Sequence, residues 1–124
     1  MNVVLWIIAG LLAVAFAAAG VMKLAQPRAK LAASGMAWAE DSSDGGVKGI
    51  GALEVLGALG LVLPAALGVA TVLTPLAALG LTLVMAGAVV IHLRRGESKA
   101  VGAPIVLGLL ALVVAVLRFG AYSF

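Results

Sequence analysis

Three side chains in this sequence combine ionisable chemistry with an apolar setting: Lys23, Glu54 and His92. Glu54 is the one ionisable residue between Gly49 and Ile91. A carboxylate left facing hydrocarbon is costly, so it must turn into a helix bundle, meet a partner or take a proton. Lys23 closes one apolar run and His92 closes another. If both runs end at the same membrane face, Lys23 and His92 are the donors within reach of Glu54. Such a cluster suits a small pocket for a polar headgroup, a quinone carbonyl or a proton. It equally suits a polar lock that ties three helices together. Residue types alone do not separate these two readings. His92 also stands close to Arg94 and Arg95, the position of an interfacial residue, while its free pKa of about 6.5 suits proton exchange at a quinone.

Other chemistries are excluded or weakly supported. The chain has no cysteine and one histidine, which removes disulfides, CxxC exchange, thiolate metal sites and c-type haem attachment. No metal site is expected. No serine has a base beside it, so no catalytic residue is assigned, and the expectation is a protein that is not an enzyme on its own. Gly49, Gly51, Gly57 and Gly60 do not form a GxGxxG phosphate loop and are read as packing glycines. The acidic run Glu40–Gly46 (EDSSDGG) lacks the alternation and closing glutamate of a calcium loop and reads as a solvated turn.

The elements that must position Lys23, Glu54 and His92 follow from composition. Of 124 residues, 65% are hydrophobic and 10% charged, far below the charged share of a soluble domain, so lipid is the expected solvent. Four apolar runs are long enough to span, at about 3–24, 47–63, 69–91 and 101–122. The fold class expected is all-α: a polytopic membrane protein with four transmembrane helices in a compact single-domain bundle. The first run has no basic residue before it and is longer than a signal-peptide core, so it reads as a retained span. Span 2 is expected to end at Pro64, and the PAALG connection makes spans 2 and 3 antiparallel neighbours. Pro75 either kinks span 3 or marks its start. Small residues recur every fourth position at Ala9, Ala13 and Ala17, and at Ala70, Thr74, Ala78, Thr82 and Ala86, as in packing seams. These stripes raise the expectation of a homo-oligomer or a larger complex. Between spans 1 and 2, Pro27 opens a short interfacial helix with Leu31 and Trp38 on one face. Trp38, Arg94, Arg95 and Arg118 are read as interface anchors, Arg118 by extending toward the face opposite the loops, with Tyr122 and Phe124 as an aromatic belt.

The blocks Gly20-Val21-Met22-Lys23-Leu24 and Gly51 to Leu61 (GALEVLGALGL), with Pro27, Leu31 and Gly35 between them and Ala88 to His92 closing span 3, resemble the DoxX-like family of small bacterial membrane proteins. The resemblance covers roughly residues 5 to 95; span 4 matches only as a generic apolar helix. It implies a four-helix membrane bundle in the bacterial inner membrane and draws attention to Lys23, Glu54 and His92. Family members are linked to a thiosulfate:quinone oxidoreductase subunit and to membrane oxidative-stress complexes. The resemblance therefore implies an accessory or scaffold protein, or alternatively a quinone- or lipid-binding subunit of an oxidoreductase. A quinone is the one cofactor it brings into view, and nucleic acid is not an expected partner.

Four spans place both termini on one side. Seven of the eight basic residues (Lys23, Arg28, Lys30, Lys48, Arg94, Arg95 and Lys99) then fall on the other, against Arg118 alone. The positive-inside rule makes the two polar loops, 25–46 and 92–100, cytoplasmic. A reporter fused after Phe124 should therefore read as extracytoplasmic, and one inserted between Asp44 and Gly46 as cytoplasmic. The reverse at both sites would invert the orientation.

Overall fold

The computed structural model describes residues 1–33 and 44–124, and every regular element among them is helical. Five α-helices follow one another: α1 (Asn2–Ala25), α2 (Arg28–Ala33), α3 (Asp44–Leu67), α4 (Leu73–Arg94) and α5 (Gly102–Phe119), with a 3₁₀ turn at Ser98–Val101 leading into α5. The four long helices are long and apolar enough to cross a membrane. The protein is an all-α, four-span membrane bundle, and α2 is a short spur between the first two spans. Trp38, Glu40 and Asp41 lie outside the described residues.

Each long helix buries one stripe, its members mostly three or four residues apart. In α1 it is Leu5, Ala9, Leu12, Phe16, Gly20 and Lys23; in α3 it is Val47, Gly51, Glu54, Ala58 and Leu61. In α5 it is Pro104, Gly108, Ala111, Val114, Ala115 and Arg118. This spacing keeps one side of a 3.6-residue helix on the bundle axis. The other sides carry exposed apolar groups such as Ile7, Leu11, Leu56, Leu83 and Val116, which is the pattern expected where lipid is the surrounding solvent. Packing runs round the bundle from α1 to α3 to α4 to α5, and the α5–α1 seam that closes the ring is the slightest of the four.

Prolines and glycines punctuate the spans in two ways. Pro75 is the third residue of α4 and is buried. It marks the start of that helix, where a proline is tolerated in the first turn. Pro64, by contrast, does not end α3. The helix runs one turn further to Leu67 and closes with Val69 N–H donating to the Pro64 carbonyl at 3.0 Å and Gly68 N–H to Ala65 at 3.3 Å. That is a Schellman closure about Gly68, whose φ of +67° is left-handed. The same closure ends α4 at Gly96 (φ +72°), with Glu97 N–H donating to the His92 carbonyl at 2.8 Å.

The expected stripe of small residues in α4 does not run as one seam. Thr74 and Ala78 are buried, Thr82 bonds back to its own helix at Ala78 O, and Ala86 is exposed. Ala70 lies in the α3–α4 turn with φ +48°. A spacing of four advances about 40° per step around a 3.6-residue helix, so the stripe rotates out of the bundle, and Leu81 and Met85 take over the buried face. In α1 the Ala9–Ala13–Ala17 row drifts likewise, with only Ala9 fully buried.

Backbones touch where α1 crosses α3. A Cβ placed on Gly20 would stand 2.6 Å from the Gly51 carbonyl oxygen, and one on Gly51 would stand 2.8 Å from the Gly20 carbonyl oxygen. Neither obstacle is a movable side chain. Gly10, also in α1, has nothing within 4 Å of such a Cβ. Gly20→Ala should therefore destabilise the detergent-solubilised protein by about 1–3 kcal/mol in a denaturant or thermal unfolding series. Gly10→Ala should be neutral or slightly stabilising. Equal effects at the two glycines would remove the close approach.

Candidate functional site

Lys23 lies on the last turn of α1, and Glu54 lies about three turns into the antiparallel α3. Their side chains meet because helical side chains lean toward the N-terminus of their own helix. In an antiparallel pair this tilt makes the two converge. Gly51 clears the path: a Cβ there would stand 2.8 Å from Lys23 Cβ, so the lysine stem lies over bare backbone. Lys23 Nζ donates to Glu54 Oε1 at 2.6 Å, with the two residues 7% and 2% exposed. A pair this buried is short and charge-assisted, and removing one member strands the other. Glu54 Oε2 has no hydrogen-bond partner among the described residues.

The pair borders a cleft of about 510 Å³ in the loop-side half of the bundle. Ile50 on α3, Met85 and Ala88 on α4, and Pro104 and Leu107 on α5 form apolar walls, while Lys23, Glu54 and His92 supply the polar groups. The space exists because small side chains line it: Ala19, Gly87, Ala88, Ala100 and Ala103 all border it. In the other half, Leu5, Leu12, Phe16, Leu61 and Leu81 fill the core.

His92 borders the same cleft but is not bonded to Glu54. Its Nδ1 stands 3.1 Å from Glu97 Oε1, and Arg95 Nε donates to that same oxygen at 3.1 Å. The hydrogen bond from His92 and the charge of Arg95 outweigh desolvation and hold the Glu97 carboxyl below the usual carboxylate range. The contact is thus complete above the ordinary carboxylate pKa and is lost as pH falls through the lowered value. With Nδ1 engaged, Nε2 is the ring nitrogen left for other partners. Gly96 makes the His92–Glu97 contact possible by folding the chain back within one turn.

Arg94 is exposed, and Arg95 is half-buried on Glu97. Arg118 does not reach into solvent. It is 5% exposed, and its Nη1 donates to Asn2 Oδ1 at 2.6 Å and to the Tyr122 carbonyl at 2.9 Å. Around the loop face, Lys48 Nζ donates to the Leu24 carbonyl at 3.0 Å, placing a cation at the C-terminus of α1 where the helix dipole favours it. Leu31 and Val47 bury against Met22, tying α2 to the same face.

Sequence reading missed Glu97, which was taken as one member of a basic loop. Its signal was the glycine before it: a helix ending at His92 with Gly96 at the left-handed position returns residue 97 to the last turn. The offset of glycine and charge in Gly20-x-x-Lys23 and Gly51-x-x-Glu54 was likewise visible. It puts each glycine on the same helix face as its charged neighbour.

No curated protein and no solved structure matches the chain. A model of the DoxX-like family matches residues 7–115, a segment that holds Lys23, Glu54 and His92 together with all four spans, and the chain therefore belongs to the DoxX-like family.

Proposed function

We propose that this protein is a non-catalytic accessory subunit of a membrane complex, and that its cleft takes the polar end of a quinone- or lipid-like molecule. The observation that carries the reading is the 510 Å³ cleft with apolar walls and a polar group of Lys23, Glu54 and His92. An amphiphile enters from the bilayer by its tail side, and the slight α1–α5 seam is the natural route. In this reading the Lys23–Glu54 pair is first a structural lock and second the rim of the site. Glu54 Oε2 accepts a hydrogen bond from a ligand hydroxyl, and His92 Nε2 offers a second hydrogen-bonding position to the ligand's polar end. The clustered basic residues favour this face on the cytoplasmic side of the bacterial inner membrane, with both termini outside. Self-association is part of the proposal: α4 turns Gly80, Ala86 and Gly87 outward, a surface on which a second helix packs closely.

A second reading, a pure scaffold, is favoured by the closure of the Lys23–Glu54 pair on itself at 2.6 Å. Two measurements separate the readings. In a double-mutant cycle, Glu54→Gln and Lys23→Met should each destabilise the solubilised protein by about 1–3 kcal/mol, and the double variant should cost clearly less than their sum. Strict additivity would refute the pairing. Ala88→Leu leaves the pair intact and fills the cleft, so it should weaken binding of decylubiquinone by about tenfold, equivalent to about 1.4 kcal/mol, with little change in stability. Unchanged quinone and phospholipid binding in Ala88→Leu would leave the scaffold reading alone.

A further inference from the structure

The end of the bundle opposite the cleft holds a buried cation without a counter-charge. Arg118 is 5% exposed. The ion pairs among the described residues join Lys23 to Glu54 and both His92 and Arg95 to Glu97, and none includes Arg118. Its partners are neutral: the Asn2 amide oxygen, the Tyr122 carbonyl and the Phe124 ring, whose centroid lies 4.0 Å from Cζ. Of the acidic residues described, Asp44 opens α3 at the loop face, Glu54 borders the first cleft and Glu97 bonds His92 beside it.

Beside the guanidinium is a second cleft, of about 170 Å³, bordered by Thr71, Val72, Pro75, Phe119 and Ser123. Two of these carry hydroxyls. The first N–H groups of α4 are already used, Leu73 on Ala70 O and Thr74 on Thr71 O, so the donors bordering the cleft are the guanidinium and the two hydroxyls. A forked cation and two hydroxyls around one small space match a tetrahedral oxyanion. The remaining borders are apolar, and the cleft sits level with the first residues of α1 and the last of α5. That is where a lipid phosphate stands relative to the hydrocarbon.

We infer that the cleft between Arg118 and the N-terminus of α4 is a phosphate-binding site, occupied by the headgroup phosphate of an anionic phospholipid from the adjoining leaflet. Arg118 supplies the counter-charge, and Nη1 stays on Asn2 and Tyr122, which hold the guanidinium plane against α1 and the C-terminal turn. The site is separate from the Lys23–Glu54 cleft and lies at the other end of the bundle. It is independent of what that cleft binds.

Thermal unfolding of the delipidated protein in a neutral detergent tests this site. Added phosphatidylglycerol should raise Tm by about 4 °C or more over phosphatidylcholine, and native mass spectrometry should show retained phosphatidylglycerol. Arg118→Gln should lose the phosphatidylglycerol-dependent rise, and Arg118→Lys, which keeps charge without the fork, should lose part of it. Should Arg118→Gln fail to fold, Thr71→Val serves instead, because it leaves the Asn2 and Tyr122 contacts in place; it should clearly reduce the rise. An Arg118-dependent rise of the same size from millimolar inorganic phosphate would support the site and assign it to the free anion. A rise from phosphatidylglycerol alone would assign it to the lipid. A rise that persists undiminished in Arg118→Gln or Thr71→Val, or no response to either phosphate source, would overturn the site.

Discussion

Two helix backbones meet at Gly20 and Gly51 because neither residue has a Cβ, and the loop-side half of the bundle depends on that contact. With any side chain at either position α1 and α3 must separate, since the atoms in the way are carbonyl oxygens. Separation would lift Lys23 off Gly51 and lengthen a 2.6 Å hydrogen bond buried from solvent. In lipid the hydrophobic effect does not press helices together, so close van der Waals contact and polar pairing must do so. Here the two reinforce each other: the glycines bring the axes close, and the ion pair holds the register in which they meet.

The same spacing logic accounts for where sequence reading succeeded. Four long apolar runs, one carboxylic acid among them and a lysine at the end of the preceding run were enough to expect the bundle and to single out Lys23, Glu54 and His92. Tilt toward the helix N-terminus is general, so the convergence of Lys23 and Glu54 needed only an antiparallel α1 and α3. What was not legible depended on angles that accumulate. A small residue every fourth position looks like a seam on paper, yet it turns about 40° per step against the helix. By Ala86 it faces outward, while Ala78, Leu81 and Met85 form the contact.

Prolines and the far end of α5 were harder for a related reason. Pro64 and Pro75 have the same chemistry, and position within the turn decides their effect. Pro75 falls in the first turn of α4, where a proline is tolerated, and Pro64 in the last turn of α3, where Gly68 completes the closure one turn later. Arg118 was read as reaching the interface opposite the loops because its stem is long enough. Its actual course depends on Asn2, 116 residues earlier, which offers an amide oxygen at 2.6 Å. No local pattern records a partner at that distance.

The two ends of the bundle therefore solve opposite electrostatic problems with the same small-residue framework. At the loop face Lys23 and Glu54 neutralise each other and Glu97 gathers His92 and Arg95, so the buried charges there have partners within the chain. The cleft beside them is left by alanines and glycines too small to fill it. At the other end the core is closed by Leu5, Leu12, Phe16 and Leu61, and the single cation beyond them has only neutral partners. Glu54 and Glu97 lie toward the loop end, and no ion pair among the described residues reaches that cation. Polar oxygens from Asn2 and Tyr122 and the face of Phe124 lower the cost of desolvating it without removing its charge. The asymmetry that orients the chain by its loops thus also leaves a positive centre at its other end, in contact with whatever anions the opposite leaflet supplies.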